Sequence, residues 1–220
     1  MTLVKTCGMT RETDIDAVNA AKPDLVGFVF APSPRQITPV QARAFKRRLV
    51  PGIQSVGVFV NAAPTEVAEL VNNGTVDVAQ LHGDEDEDYI GQLRRLLDRG
   101  EIMQVFRIPP DLERAKEVLE KAKQSLADKI LFDTGSKRVY GGSGEMFDWG
   151  ILKNFPRPFF LAGGIGAENA SDAIAAIAPH GLDASSSLET EGRKDPEKIR
   201  AFVEIVRTID PQTNKKKAAQ

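Results

Sequence analysis

Eight short apolar runs recur along the chain, and each is continuous rather than alternating. Strands that read this way are buried on both faces, as in a parallel sheet covered by helices. The runs are LVKTC from Leu3, LVGFVF from Leu25, SVGVFV from Ser55, VDVAQLH from Val76, IMQVFRI from Ile102, KILFD from Lys129, PFFLAG from Pro158 and GLDASS from Gly181. Between them the apolar spacing lengthens to that of a helix. Helices are predicted over Asp14–Ala21, from Thr38-Pro39 to near Leu49, from Ala63-Pro64, over Asp86–Arg99, over Pro110–Leu126, weakly after Asp148-Trp149, over Ala167–Ala178 and over Pro196–Ile209. Proline in the first turn suits the second of these.

The 220 residues divide into eight strand–helix pairs of about 27 residues each. Strict alternation in a chain of this size predicts an α/β fold, a closed (β/α)8 TIM barrel. One domain is expected over residues 1–210, with a polar, disordered tail over 211–220. An open doubly wound sheet would carry a glycine-rich dinucleotide turn after its first strand. CGMTRE has no such turn, and the chain has no P-loop pattern.

Composition narrows the class of partner. Twenty-nine basic residues against thirty-one acidic leave no bulk charge to attract nucleic acid or an anionic membrane. The single cysteine excludes an intrachain disulfide and a cysteine-built zinc site, and it suits a reducing cytoplasm. The N-terminus lacks a secretory core and no run is long enough to span a bilayer. A cytoplasmic protein is expected, a monomer rather than a homodimer, acting on a small molecule. No His/Asp/Glu spacing suggests a metal.

In such a barrel the C-terminal strand ends and the loops after them carry chemistry. Those positions hold Cys7, the loop from Phe30 to Arg35, Asn61, His82, Arg107, Asp133, Gly163-Gly164 and Asp183-Ala184-Ser185-Ser186. Cys7 ends the first strand, where a lone cysteine is either a small buried hydrophobe or a reactive thiol. Paired glycines let backbone N–H groups approach an anion, and serine hydroxyls donate to it. Loops after strands seven and eight are where barrels often hold phosphate. Asp133 follows Ile130-Leu131-Phe132; desolvation there would favour a proton donor, and a loop-anchoring role is the alternative. Arg35 sits between prolines that would aim a guanidinium at a carboxylate or phosphate, unless it is a solvated surface residue. His82 offers a polar contact or a structural one, with no evident orienting partner. His180 precedes strand eight at the opposite end and is discounted. The glycine-rich stretch Thr134–Met146 reads as a lid or as a plain loop.

In order, VKTCGMT, GFVFAPSPRQITP, VGVFVN, VAQLHG, LFDTGS, YGGSGEMFDW, LAGGI and GLDASSSLETEGRKD resemble the motifs of the phosphoribosylanthranilate isomerase family of tryptophan biosynthesis. The resemblance runs nearly to Ile209. It implies an Amadori rearrangement of N-(5-phosphoribosyl)anthranilate to the carboxyphenylamino-deoxyribulose phosphate, without a cofactor. By motif, Asp133 matches the general acid and Cys7 the general base. Arg35 matches the residue holding the anthranilate carboxylate. Gly163, Gly164, Ser185 and Ser186 fall in the phosphate loops, Asp183 faces the sugar, and His82 lies at the mouth. Two departures stand out: Glu145 where the family has lysine, and Ser187 where it has glycine. The alternatives are an indoleglycerol-phosphate synthase-like barrel or a silent phosphate-binding barrel. The first would need lysines at strand ends, whereas Lys5 and Lys129 sit early in their strands and are expected to lie away from the rim.

Overall fold

Each of the eight apolar runs is a strand. In the computed structural model, which describes residues 1–134 and 149–209, they are β1 (Leu3–Cys7), β2 (Leu25–Val29), β3 (Gln54–Phe59), β4 (Val78–Leu81), β5 (Glu101–Arg107), β6 (Lys129–Asp133), β7 (Phe159–Ala162) and β8 (Gly181–Ala184). All pair in parallel with their sequence neighbours, and β8 pairs with β1, so the barrel closes. A two-stranded antiparallel ribbon, β9 (Glu189–Thr190) and β10 (Arg193–Lys194), follows β8.

The helices are α1 (Glu12–Ala21), α2 (Pro39–Arg48), α3 (Pro64–Asn72), α4 (Glu87–Leu96), α5 (Leu112–Gln124), α6 (Ala170–Ile177) and α7 (Pro196–Ile209). Their starts follow capping chemistry. The Thr38 hydroxyl accepts from the Gln41 N–H while the Gln41 side chain answers at Thr38, and Pro39 fills the first turn. Asp86 and Asp111 cap α4 and α5 in the same sense.

Two expectations are corrected. The helix foreseen after Asp148 is, over the described residues, a single 3-10 turn, Trp149–Leu152. Pro156 and Pro158 follow at once and bar a longer helix. The helix foreseen from Ala167 begins at Ala170. Asn169 is used to brace the loop before it, donating to the Gly164 carbonyl (3.0 Å) and accepting from the Gly166 N–H (2.9 Å). The lid foreseen over Thr134–Met146, Glu145 within it, and the 211–220 tail lie outside the described residues beyond Thr134.

Alternation along the strands sorts the core into two shells. Outward residues such as Val4, Val26, Phe28, Ile130, Phe132, Leu161 and Leu182 pack against the helices. Inward residues Leu25, Val56, Val78, Met103, Val105, Leu131, Phe160 and Ala162 fill the barrel. Burying a side chain of this size contributes about 1.5–3 kcal/mol each, so the apolar filling is a main source of stability. Buried polar side chains break the pattern at Lys5, Gln80 and Asp183; Lys5 is wholly buried, in register with Leu25 on one side and Asp183 on the other.

Candidate active site

The same alternation carries Cys7 onto the inward face, two residues above Lys5 and at the C-terminal end of β1. Its register partner on β2 is Gly27. A Cβ at Gly27 would stand 2.5 Å from the Cys7 Sγ, so the thiol occupies space that only glycine leaves. Gly27 thus belongs to the site although its side chain does nothing.

Lys5 corrects the expectation that it lies away from the chemistry. Its Nζ donates to Asp183 Oδ2 at 2.8 Å, and Cys7, two residues on along the same inward face of β1, is the next group that bears on its charge. An early strand position still reaches the mouth when the side chain is long and its neighbours below are apolar. Burial disfavours the charge on Lys5, but Asp183 and then Cys7 more than offset this and keep it protonated. Burial pushes the Cys7 thiol up, and Lys5 is the largest opposing influence. Lys129, by contrast, pairs with Glu101 (2.9 Å) at the start of β6, away from the mouth as expected.

Asp183 is 8% exposed, and its Oδ1 has no hydrogen-bond partner. A buried carboxylate oxygen left open in a site is an acceptor awaiting a donor. Across the mouth, Asp133 ends β6 with its side chain about a quarter exposed, and its Oδ2 lies 3.3 Å from His82 Nε2. His82 is not without an orienting partner. The Gln80 side-chain amide faces its Nδ1 at 3.2 Å, which sets the ring with Nε2 turned to Asp133. Arg107 donates to the His82 carbonyl and braces the same corner.

Arg35 reaches the mouth but is not a loose surface residue. Its Nε and one terminal nitrogen donate to both oxygens of Glu189, at 2.6 and 2.8 Å. Glu189 also accepts from Lys194 Nζ (2.7 Å), which itself donates to the Ser185 carbonyl (2.9 Å). Burial pushes the Glu189 carboxyl up, yet Arg35 and Lys194 more than offset it and hold it at about 2. Glu189 and Lys194, both in the β9–β10 ribbon, were missed by sequence reasoning. The turn that joins them, Glu191-Gly192 with φ of 52° and 73°, is a two-residue hairpin turn of the primed kind, but it lacks the Asn-Gly or Asp-Gly pair that marks such a turn in a sequence.

The phosphate-loop candidates come together. Gly163 and Gly164 follow β7 with φ of 92° and 70°, a conformation that glycine adopts freely. Ser185 donates to the Cys7 carbonyl at 3.1 Å, which joins β8 to β1 beside the thiol. Ser186 is exposed at the start of a 3-10 turn. The Ser187 hydroxyl donates to the Ile165 carbonyl and so ties the β8 loop to the β7 loop. Asn61, by contrast, adopts φ of 51° and ties the loop after β3 to the loop after β4, donating its N–H to Glu85 (2.6 Å). Among the described residues no cluster of three or more His, Cys, Asp or Glu side chains is placed to hold a metal ion, and no helix is long and apolar enough to cross a membrane.

The site therefore offers a thiol backed by a cation, a carboxyl on the opposite wall, a fixed guanidinium, and glycine and serine loops suited to an anion. The family model described as N-(5'phosphoribosyl)anthranilate (PRA) isomerase matches residues 4–205. A curated N-(5'-phosphoribosyl)anthranilate isomerase from Endomicrobium trichonymphae is 44% identical, over 95% of this chain and 100% of that protein. The crystal structure of phosphoribosyl anthranilate isomerase from Thermotoga maritima superposes with a TM-score of 0.81 at 31% identity, covering 94% of this chain and 100% of that one. A phosphoribosyl anthranilate isomerase structure in complex with reduced 1-(o-carboxyphenylamino)-1-deoxyribulose 5-phosphate superposes at 0.79 and 29% identity, covering the same shares.

Proposed function

The chain belongs to the N-(5'-phosphoribosyl)anthranilate isomerase family, and from that premise we propose which of its residues perform the isomerisation. The protein is an isomerase of tryptophan biosynthesis that converts N-(5'-phosphoribosyl)anthranilate into 1-(2-carboxyphenylamino)-1-deoxyribulose 5-phosphate. Neither a synthase-like lyase nor a silent binding barrel is needed to explain it.

Asp133 is the general acid and Cys7 the general base. The Asp133 carboxyl protonates the furanose ring oxygen as the C1–O bond breaks, and the anilino nitrogen lone pair forms the iminium. The Cys7 thiolate then takes the C2 proton, and the C–H electrons flow into the iminium to give an enolamine. The enolamine becomes the ketone when C1 takes up a proton and the C2 hydroxyl gives up its own. The iminium is itself the electron sink. Arg35 receives the anthranilate carboxylate through the guanidinium N–H groups left over from its bidentate pair with Glu189, which holds the plane of the group in place. Gly163, Gly164, Ser185 and Ser186 cradle the phosphate. Asp183 Oδ1 accepts a sugar hydroxyl, and His82 holds the Asp133 carboxyl in place.

One observation carries these roles. Cys7 and Asp133 face one mouth from β1 and β6, on opposite walls, with the phosphate loops entering beside β1. Acid and base then act on the two sides of a ring anchored by its phosphate. A reduced thiol as base favours a cytoplasmic setting. Few large apolar side chains are exposed among the described residues, namely Met1, Val40, Val60, Leu96, Leu112 and Leu126, which supports a monomer.

The test is a fluorescence assay following loss of phosphoribosylanthranilate. Cys7→Ser and Asp133→Asn should each lower kcat by about 100-fold or more, the scale of a general acid or base, with the fold intact by circular dichroism. Wild-type kcat in either variant would sink that residue's role.

A further inference from the structure

A wholly buried lysine above an apolar barrel filling needs a reason. Swapping a buried ion pair for apolar residues is often neutral or stabilising, so Lys5–Asp183 is not explained by stability. We propose that Lys5 is a positioning residue for Cys7, its ammonium shared between Asp183 and the thiol so that the thiolate is held ready as the base. The proposal rests on Cys7 being that base.

The geometry leads there. The side chains filling the barrel below Lys5, among them Leu25, Val56, Val78, Leu131 and Phe160, offer no acceptor. The ammonium has three donors; one goes to Asp183 Oδ2 at 2.8 Å, and Cys7 stands two residues further along the same inward face of β1, both on the mouth side.

The charge count around Cys7 agrees. Lys5 faces it from β1, Asp183 from β8, Lys194 from β10 with Glu189 behind it, and Arg35 from the loop after β2. β2 itself presents only Gly27. His82 and Asp133 stand across the mouth, where they act on Asp183. In the wall behind the thiol there are three cations, Lys5, Lys194 and Arg35, and two carboxylates, Asp183 and Glu189. Three minus two leaves one positive charge, which a thiolate would balance. Arg35 and Lys194 both close on Glu189, so Lys5 is the cation turned to the sulfur. Burial working against the thiolate makes this help necessary.

Cys7 is the only cysteine, so thiolate absorbance in the ultraviolet, with Cys7→Ser as blank, titrates this group alone. Lys5→Met by itself would strand a buried carboxylate and can fail to fold. The informative pair is Asp183→Asn against Lys5→Met/Asp183→Asn, in which no charge is orphaned in the second. The thiolate midpoint should fall in Asp183→Asn, because Lys5 then serves Cys7 alone. It should rise by about one unit or more, a tenfold loss of thiolate at a given pH, when methionine replaces the lysine. Lys5→Arg/Asp183→Asn should restore part of the drop. Coincident titrations of the Asp183→Asn and Lys5→Met/Asp183→Asn proteins would overturn the role of Lys5. An active Cys7→Ser enzyme would instead overturn the base assignment and leave this titration intact, so the two failures are separable.

Discussion

Replacing Gly27 with alanine puts a methyl group where the Cys7 sulfur now sits. The new carbon would lie 2.5 Å from Sγ and 3.1 Å from both the Cα and Cβ of Cys7. Contacts of this kind turn attractive only near ~3.5 Å, so the sulfur must retreat by roughly 1 Å. The backbone contact is nearly tolerable; the sulfur contact is not. The adjustment therefore falls on the thiol more than on the strand pair. Overpacking of this kind costs about 1–3 kcal/mol, or a fall in Tm of roughly 2–12 °C for a domain of this size. A base displaced by about 1 Å costs on the order of 100-fold in rate. Gly27→Ala should thus remain folded at room temperature, bind substrate with little change in KM, and lose kcat by about that factor. Thermal melts and steady-state fluorescence kinetics separate the two effects. A folded Gly27→Ala enzyme with kcat within about threefold of wild type would refute the claim that glycine is needed to seat the base.

Arg35→Ala should raise KM by about 10- to 150-fold, the worth of a charge-assisted pair of about 1.5–3 kcal/mol, with a smaller change in kcat. An inhibitor lacking the anthranilate carboxylate should bind wild type and variant alike; if the variant weakens both ligands equally, Arg35 is not reading that carboxylate. Glu189 sets an acid limb. Its carboxyl is held at about 2 in the folded chain, against an ordinary 4.5, so the stability it contributes is full above 4.5 and is lost as pH falls towards 2. Glu189→Gln should flatten the loss of stability in that window when denaturation is followed at stepped pH, and an unchanged slope would show that the Arg35–Glu189–Lys194 cluster is not worth what its geometry implies.

The barrel was legible because its strands are buried twice over, inside and out, which erases alternation and leaves eight continuous apolar runs. Cys7 and Asp133 were legible because strand ends mark the rim. Lys5 was misjudged for a physical reason. Position along a strand was read as depth, yet a four-carbon stem carries its charge more than a residue's rise towards the mouth. Glu189 and Lys194 sit in strands of two residues, too short for any periodicity to register. His82 looked unpartnered because Gln80, two residues before it, shares its face only once the strand is built. Ser187 stood out as a departure, and its hydroxyl proves to join the two phosphate loops, which no local pattern could show.

The pairing of Lys5 with Asp183 spans 178 residues, and so does the bond from Ser185 to Cys7. Contacts this distant in sequence form late, because the chain between them must first be ordered. The strand bearing the base leaves the ribosome first, and the strand that completes its surroundings is nearly the last. Partial barrels, whether nascent or truncated before β8, hold the thiol without Asp183 opposite Lys5 and without the ribbon behind it. The surroundings of the base are therefore complete only once β8 has docked on β1.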